Sequence, residues 1–279
     1  MKGLLLEGGG MRSVYSAGVM DAFEELGVSF DQCHGVSAGA LNAISFLSHQ
    51  PKRNLRIMQN YIGDARYLSY RNWLFTGSIF GQKMLFDTIP NELDLFDYEA
   101  FKKNPCRFFI WVYQLKSGKV VYHEIKDVKE DVKWLQATSS LPFMGNIIDI
   151  GGEKYIDGGI VDCYGVDNAI NNGCSKMVMI LTREKGFKKS KSKLIPYTKI
   201  FYHRYPNLAK DLAIRHERSN TEVDRIDMME KEGKMLVIRP TKTVKVARTE
   251  KNKEVLESLY YDGYNDAMKM KEQIINYLK

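Results

Sequence analysis

A serine near the start of the chain lies between two glycines, in a pattern that serves nucleophilic catalysis. Gly35-Val36-Ser37-Ala38-Gly39 matches G-x-S-x-G, a motif in which the serine occupies a sharp turn between a strand and a helix. Small neighbours avoid clashes in such a turn, and the N-terminus of the following helix offers amide donors to developing negative charge. The pattern predicts Ser37 as a nucleophile that attacks an acyl carbonyl, with Gly35 and Gly39 as the glycines of the turn.

Three consecutive glycines follow the first apolar segment, and two uses of such a loop compete. One is a dinucleotide site, because Gly8-x-Gly10-x-x-Ser13 approaches G-x-G-x-x-G, although the third glycine is missing and no second strand clearly ends in an acidic residue. The other is an oxyanion hole of backbone N–H groups. Because a candidate nucleophile follows, we predict an oxyanion hole formed by Gly8, Gly9, Gly10 and Met11. Arg12 either braces this loop or contacts an anionic headgroup.

The histidine that a Ser-His-Asp enzyme requires has no recognisable place in the sequence. The five histidines are His34, His49, His123, His203 and His216. His34 is expected to pack beside the serine turn, and no motif surrounds the others. Asp157 precedes two glycines, so it can lie on a turn at a strand end and approach a serine hydroxyl directly. A free aspartate has a pKa of about 4, so Asp157 could act as a general base only where its surroundings tune that value. The alternative is an ordinary turn, which the D-G-G pattern favours when it is taken alone.

The apolar segments of the chain predict the strands and helices that position these residues. We predict strands at 3–6, within 30–36, and at 107–115, 119–125, 176–182 and 234–239. We predict helices at 14–26, 38–47, 128–138, 166–171 and 250–278. This alternation is typical of an α/β sheet with helices on both faces.

The second part of the chain is more basic than the first. The whole chain has 279 residues and a net charge of +7, and residues 184–218 hold ten Lys or Arg against three acidic residues. We expect residues 188–193 to form an exposed loop. The basic segment either rests on an anionic membrane surface or is a solvated face. Nucleic acid is not an expected partner, because no aromatics interleave with the basic residues and no binding motif is present.

Several features bear on the compartment of the protein. The four cysteines show no C-x-x-C spacing, which favours free thiols in a reducing compartment. The apolar start of the chain is too short for a signal peptide, and no apolar run approaches about 20 residues. We therefore predict a cytoplasmic protein, for which peripheral contact with a membrane stays open. The sequence does not indicate an oligomeric state.

Four blocks in this order resemble the patatin-like phospholipase family, in its bacterial members. They are residues 8–12 (GGGMR), 35–39 (GVSAG), 137–142 (ATSSLP) and 157–159 (DGG). The resemblance implies a three-layer α/β/α fold and a catalytic dyad in which Ser37 attacks the ester and Asp157 accepts its proton. Two departures are mild, since Ser13 replaces a glycine and Ser140 replaces a small apolar residue. The similarity spans residues 1–183, which we predict as the catalytic domain, with 184–279 as a mainly helical, basic extension packed on it.

The resemblance implies a serine hydrolase of lipid acyl esters, of the phospholipase A or lysophospholipase type, that uses neither a metal nor another cofactor. Alternatives are an acyltransferase or thioesterase that uses the same serine, and a non-catalytic lipid-binding regulator. We predict substrate contacts from Arg12, Phe143 and Met144. Met11, Phe80, Met84 and Phe86 are further candidates for an acyl site, although for each of them taken alone the pattern favours a place in the core.

Overall fold

A computed structural model describes residues 1–279 of the chain. The strands are β1 (Lys2–Leu6), β2 (Gln32–Gly35), β3 (Arg107–Gln114), β4 (Lys119–Ile125), β5 (Ile148–Ile150), β6 (Glu153–Asp157), β7 (Lys176–Ile180) and β8 (Met235–Ile238). The helices are α1 (Val14–Glu25), α2 (Ala38–Leu47), α3 (Arg53–Tyr61), α4 (Tyr70–Thr76), α5 (Tyr98–Lys103), α6 (Val132–Thr138), α7 (Val166–Asn171), α8 (Ile195–Phe201), α9 (Pro206–Lys231), α10 (Lys253–Lys269) and α11 (Lys271–Leu278). Short 3-10 turns span Gly10–Ser13 and Gly158–Ile160, and a π-helix spans Met84–Leu93.

All eight strands form one sheet, in the order β5-β6-β3-β2-β1-β7-β8, with β4 also paired to β3. The adjacent strands β3, β2, β1, β7 and β8 run parallel to one another. In contrast, β4 and β6 pair antiparallel with β3, and β5 pairs antiparallel with β6. The central strand β1 is almost continuously apolar, as expected for a parallel strand covered on both faces. Its Leu4 and Leu6 belong to one apolar cluster, and Leu5 belongs to another on the opposite face. The predicted three-layer α/β/α class is therefore confirmed.

The strand β3 organises the site because two strands share one of its edges. β4 pairs along most of β3, so β2 and β6 both pair with the opposite edge. Gly35, the last residue of β2, lies opposite Ile110, and Asp157, the last residue of β6, lies opposite Val112. β2 runs parallel to β3 and β6 runs antiparallel, so the two strands point toward each other and end on either side of Trp111.

The chain after residue 183 extends the same sheet and core. β8 pairs with β7 through its whole length, and α10 packs against α1. The hydroxyl of Tyr15 on α1 donates to Asp266 on α10 at 3.1 Å. The predicted helical character of this segment is confirmed, although α8 and α9 had no clear signal in the sequence. No helix combines the length and apolarity that crossing a bilayer requires.

Two predicted helices have different limits in the structure. The helix predicted at 128–138 begins at Val132, because the Asp131 carboxylate instead accepts the N–H groups of Lys126 and Asp127 and closes a turn. The helix predicted at 250–278 begins at Lys253, where Asn252 caps the first turn through the N–H of Val255. It is also divided into α10 and α11 at residue 270.

Candidate active site

Ser37 occupies a strained turn between β2 and α2. Its backbone has φ 57° and ψ −135°, a conformation that residues with a Cβ rarely adopt. Gly39 is required two residues later, since a Cβ there would lie 2.7 Å from the carbonyl oxygen of Glu7. The turn presents the Ser37 side chain at the N-terminus of α2, whose positive dipole end faces the same region. The structure thus contains the elbow geometry expected from the G-x-S-x-G pattern.

The sheet brings Asp157 to Ser37 across 120 residues of chain. Ser37 lies just after the end of β2 and Asp157 is the last residue of β6, and these two strand ends meet on one edge of β3. Both side chains line the same small polar pocket. Ser37 is 7% exposed and Asp157 is 2% exposed, so any reaction between them would occur in an environment that excludes most water.

The segment that follows α6 fixes the backbone of both residues. Thr138 accepts the N–H of Ser37 at 3.1 Å and donates its hydroxyl to the carbonyl of Trp111 at 2.8 Å. Ser140 accepts the N–H of Asp157 at 2.9 Å through its carbonyl oxygen. Neither Thr138 nor Ser140 had a predicted role, although both lie in the small-residue block 137–142. Thr138 thereby occupies the gap on β3 between the two strand ends.

The carboxylate of Asp157 is buried and only partly satisfied. One oxygen, Oδ1, accepts the N–H of Gly159 at 2.8 Å, and the other, Oδ2, has no hydrogen-bond partner. Burial raises the pKa of Asp157 above its usual value, and the Ser37 hydroxyl, the Gly159 N–H and the charges of Arg215 and Arg248 oppose part of that rise. A carboxylate with a raised pKa and an open oxygen beside a serine is suited to accept a proton.

The glycine loop supplies free amides next to Ser37. The N–H groups of Gly8, Gly9 and Gly10 donate no hydrogen bond to the rest of the chain. The prediction for Met11 is corrected, because its N–H donates to the carbonyl of Arg248 at 3.0 Å and is therefore not a free donor. Glycine is required at position 10, because its φ is +59° and because a Cβ there would lie 2.5 Å from the carbonyl oxygen of Arg248. The candidate oxyanion donors are thus the three glycines.

None of the five histidines lines either of the two cavities that Ser37 lines. His34 is fully buried, contacts Gln32 and Asn168, and stacks on Phe109 with 5.0 Å between ring centroids. Burial, followed by the charge of Arg107, lowers the pKa of His34 to about 4, so the ring is neutral at physiological pH. His216 lines a neighbouring cavity that Asp157 also lines, but not the polar pocket that contains Ser37.

Ser37 also lines a large apolar cavity of about 450 Å³. Its wall includes Met11, Phe80 and Phe86, as the sequence analysis suggested for an acyl site, whereas Met84 belongs to the buried core beside it. Other apolar wall residues come from α2, α3 and the π-helix: Leu41, Ile44, Ile57, Met58, Leu85 and Ile89. A cavity with this lining is suited to a long hydrocarbon chain.

The predicted substrate contacts Arg12, Phe143 and Met144 do not line the apolar cavity. Arg12 lines the polar pocket, and Phe143 and Met144 line a second cavity of about 220 Å³ that opens beyond it. Asp157 lines both of these spaces. Ser37 therefore lies at the junction between an apolar compartment and a polar one.

This fold is that of a patatin-like phospholipase. The family model for patatin-like phospholipases matches residues 4–170, which is more than half of the chain, and the chain belongs to that family. The members of this family are typically serine hydrolases of lipids. Residues 205–279 match a second model, described as a domain of unknown function (DUF6363).

Two individual proteins are similar to the chain. The uncharacterized protein YjjU of Escherichia coli K12 is 26% identical over 184 residues, covering 64% of this chain and 51% of YjjU. The chain therefore spans about half the length of this curated relative. The crystal structure of VipD from Legionella pneumophila superposes with a TM-score of 0.45 at 12% identity, covering 98% of this chain and 67% of VipD.

Proposed function

We propose that this protein is a serine hydrolase of lipid acyl esters, of the phospholipase A or lysophospholipase type, with Ser37 as nucleophile and Asp157 as general base. One observation carries the proposal: Ser37 stands on a strained elbow beside a buried carboxylate that has a free oxygen, at the mouth of an apolar cavity. Membership of the patatin-like phospholipase family supports it. The chemistry draws only on groups of the chain.

In the first half of the reaction, Ser37 Oγ attacks the ester carbonyl carbon and its proton passes to Asp157 Oδ2. The carbonyl oxygen becomes negatively charged, and the N–H groups of Gly8, Gly9 and Gly10 donate to it. The intermediate then collapses, the carbon–oxygen bond of the ester breaks, and the leaving alcohol takes the proton from Asp157. In the second half, Asp157 deprotonates a water whose oxygen attacks the acyl carbon. The bond between Ser37 Oγ and that carbon then breaks, Ser37 Oγ takes the proton back from Asp157, and the fatty acid is released.

The proposed function is tested by labelling with a fluorophosphonate probe and then by a panel of lipid esters with different acyl lengths. We expect the probe to modify Ser37 alone, with turnover highest for acyl chains long enough to fill the apolar cavity. Labelling of the chain without hydrolysis of any ester would contradict a hydrolase. Transfer of the acyl group to an added alcohol or thiol acceptor in preference to water would identify an acyltransferase, and preference for acyl thioesters would identify a thioesterase.

We further propose that residues 184–279 are an extension that packs on the catalytic part and completes its site. Three residues of this extension, Lys189, Arg215 and Arg248, line the polar pocket. The carbonyl of Arg248 also holds the glycine loop through the N–H of Met11. A hydrolase that lacks this extension would therefore lack one wall of its pocket.

We also propose peripheral contact with a membrane, carried by apolar side chains as well as by charge. Residues 70–76 and 195–201 form a face, here called the aromatic face, whose exposed side chains are Tyr70, Trp73, Leu74, Phe75, Tyr197, Ile200 and Phe201. Phe143 joins the two helices, because its carbonyl accepts the indole N–H of Trp73 at 2.8 Å and its ring packs edge-on against Phe201. Exposed aromatics grouped on one surface suit the interface of a bilayer.

The basic segment contributes less free charge to this contact than its composition suggests. Lys185, Lys188 and Arg218 pair with Glu230, Asp224 and Asp211, respectively. Lys189 and Arg215 turn into the polar pocket. The proposed contact with lipid therefore depends mainly on the aromatic face.

Replacing Phe75 and Phe201 together by serine should weaken binding to anionic phospholipid vesicles by about tenfold or more, because each ring contributes roughly 1.5–3 kcal/mol when it leaves water. Vesicle co-sedimentation measures the effect. Val255→Ser on α10 is a matched control, since it removes an exposed apolar side chain remote from the aromatic face. Equal vesicle binding by the double variant and the control would contradict the proposed contact.

A further inference from the structure

Four cationic side chains line the polar pocket beside Ser37, and three of them come from outside the matched region 4–170. The four are Arg12, Lys189, Arg215 and Arg248. None of them takes part in any ion pair of the structure. The pocket also contains two carboxylates, those of Glu7 and Asp157. Four positive charges thus face two negative ones, which leaves an excess of two positive charges.

The hydrogen bonds that hold Lys189 and Arg215 go to neutral groups, so neither cation is paired directly with a carboxylate. Lys189 Nζ donates to the hydroxyl of Ser219 at 2.8 Å, and Arg215 Nε donates to the carbonyl of Gly159 at 2.6 Å. Arg12 Nε is buried and has no hydrogen-bond partner. The expectation that residues 188–193 form an exposed loop is therefore wrong for Lys189, whose ammonium group turns inward.

The hydrogen bonds that the two carboxylates of the pocket accept come from groups other than the four cations. Glu7 accepts both the backbone N–H and the hydroxyl of Thr182, at 2.7 and 2.9 Å. Asp157 accepts the N–H of Gly159. Burial lowers the pKa of Arg12 to about 10, and burial also lowers the pKa values of Lys189 and Arg248. Cations that outnumber the carboxylates around them are costly in such an environment, so this excess of positive charge points to a ligand that supplies negative charge.

The position of the cations relative to Ser37 indicates which part of a substrate they meet. Lys189, Arg215 and Arg248 line both the polar pocket and the second cavity of about 220 Å³ beyond it. An ester whose carbonyl lies at Ser37 and whose acyl chain fills the apolar cavity directs its alcohol portion toward these three side chains. Guanidinium groups match the oxygens of phosphate in a bidentate geometry.

We propose that Lys189, Arg215 and Arg248 bind the phosphate of the substrate and that the preferred substrate is an acylglycerol carrying a phosphomonoester. The inference rests on the proposed function, since it assigns the alcohol portion of the ester that Ser37 attacks. A phosphomonoester carries close to two negative charges at neutral pH, which balances the excess in the pocket. A zwitterionic headgroup, with one phosphodiester charge and its own cation, balances it less well.

The test compares two esters with the same acyl chain, a monoacylglycerol phosphate and the neutral monoacylglycerol. We expect the full-length protein to hydrolyse the phosphate ester with the higher kcat/KM. Arg215→Met and Arg248→Met should each lower the ratio of the two kcat/KM values by about tenfold or more, because each removes a charge-assisted hydrogen bond. Lys191→Met is the matched control, since this lysine lies in the same segment but points to solvent, and it should leave the ratio unchanged.

Further measurements distinguish a phosphate on the substrate from free inorganic phosphate. They also distinguish failure of this inference from failure of the proposed function. Inorganic phosphate should inhibit hydrolysis of the neutral ester by the unmodified protein, and less so in Arg215→Met. Inhibition by phosphate without preference for the phosphate ester would overturn the assignment to the substrate. Equal kcat/KM for a lysophospholipid with a choline headgroup would overturn the phosphomonoester. Hydrolysis of neither ester, together with absence of probe labelling, would contradict the proposed function itself. Hydrolysis of both esters at equal rates would contradict only this inference.

Discussion

Replacing Ser37 by alanine should lower kcat/KM for short p-nitrophenyl esters and for lysophospholipid by at least about 10³-fold, because no other nucleophile can form the acyl-enzyme. The variant should also lose all labelling by a fluorophosphonate. Its fold should persist, since alanine is smaller than serine and the hydroxyl of Ser37 makes no hydrogen bond that holds the elbow together. Ester assays, mass spectrometry of the labelled protein and circular dichroism measure the three expectations.

Ser192→Ala is the matched control for this variant. Ser192 is an exposed serine beside the second cavity, and its replacement should leave labelling and turnover at the level of the unmodified protein. Full ester turnover by Ser37→Ala would show that the elbow has no part in the reaction. Loss of turnover in both variants would instead indicate damage to the cavity rather than loss of the nucleophile.

Replacing Asp157 by asparagine should lower kcat by about 10²–10⁴-fold, since the amide cannot accept the serine proton. The same variant should unfold at a higher temperature at neutral pH. Burial raises the pKa of Asp157 in the folded protein above its unfolded value. Stability is therefore lost as the pH rises from the unfolded pKa through the folded one, and it stays lower above that window. Asparagine cannot ionise, so the variant avoids this loss. Calorimetry should show a rise in Tm of about 2–4 °C for each kcal/mol of unfolding free energy regained.

The pH dependence of the unmodified protein provides the accompanying check. Because the deprotonated carboxylate is the active form, kcat/KM should fall on the acid side through the raised pKa of Asp157 rather than near 4. His216→Ala is the informative control, since this histidine lines the cavity next to Asp157. If Asp157→Asn keeps full activity and His216→Ala abolishes it, His216 is the base and the dyad is wrong.

The sequence was sufficient for the parts of the site that depend on local backbone. The turn at Ser37 needs small residues within two positions of it, so the motif carries its own structural requirement. The glycine loop is local in the same way, and the fold class follows from alternating apolar segments. The resemblance to a family then linked these blocks to Asp157, which nothing local could have connected with Ser37.

Other features depend on contacts between distant segments and left no signal in the sequence. Lys189 stands among five other cationic or serine residues of similar character, and only the packing of the loop against α9 turns it inward. The N–H of Met11 lost its predicted role because the carbonyl of Arg248, more than 200 residues later, accepts it. Thr138 gained a role because its hydroxyl, at the end of α6, donates to the carbonyl of Trp111 on β3.

The pairing of two strand ends on one edge of β3 bears on how such an enzyme can diversify. Gly35 and Asp157 lie opposite residues only two positions apart on a single strand, a spacing of about 6–7 Å along it. That spacing does not depend on the length of the chain between them. Insertions or deletions in the segments that line the apolar cavity, such as 48–106, can therefore reshape the space for the acyl chain while nucleophile and base keep their separation. Substrate range can vary within this lineage without the reaction being rebuilt.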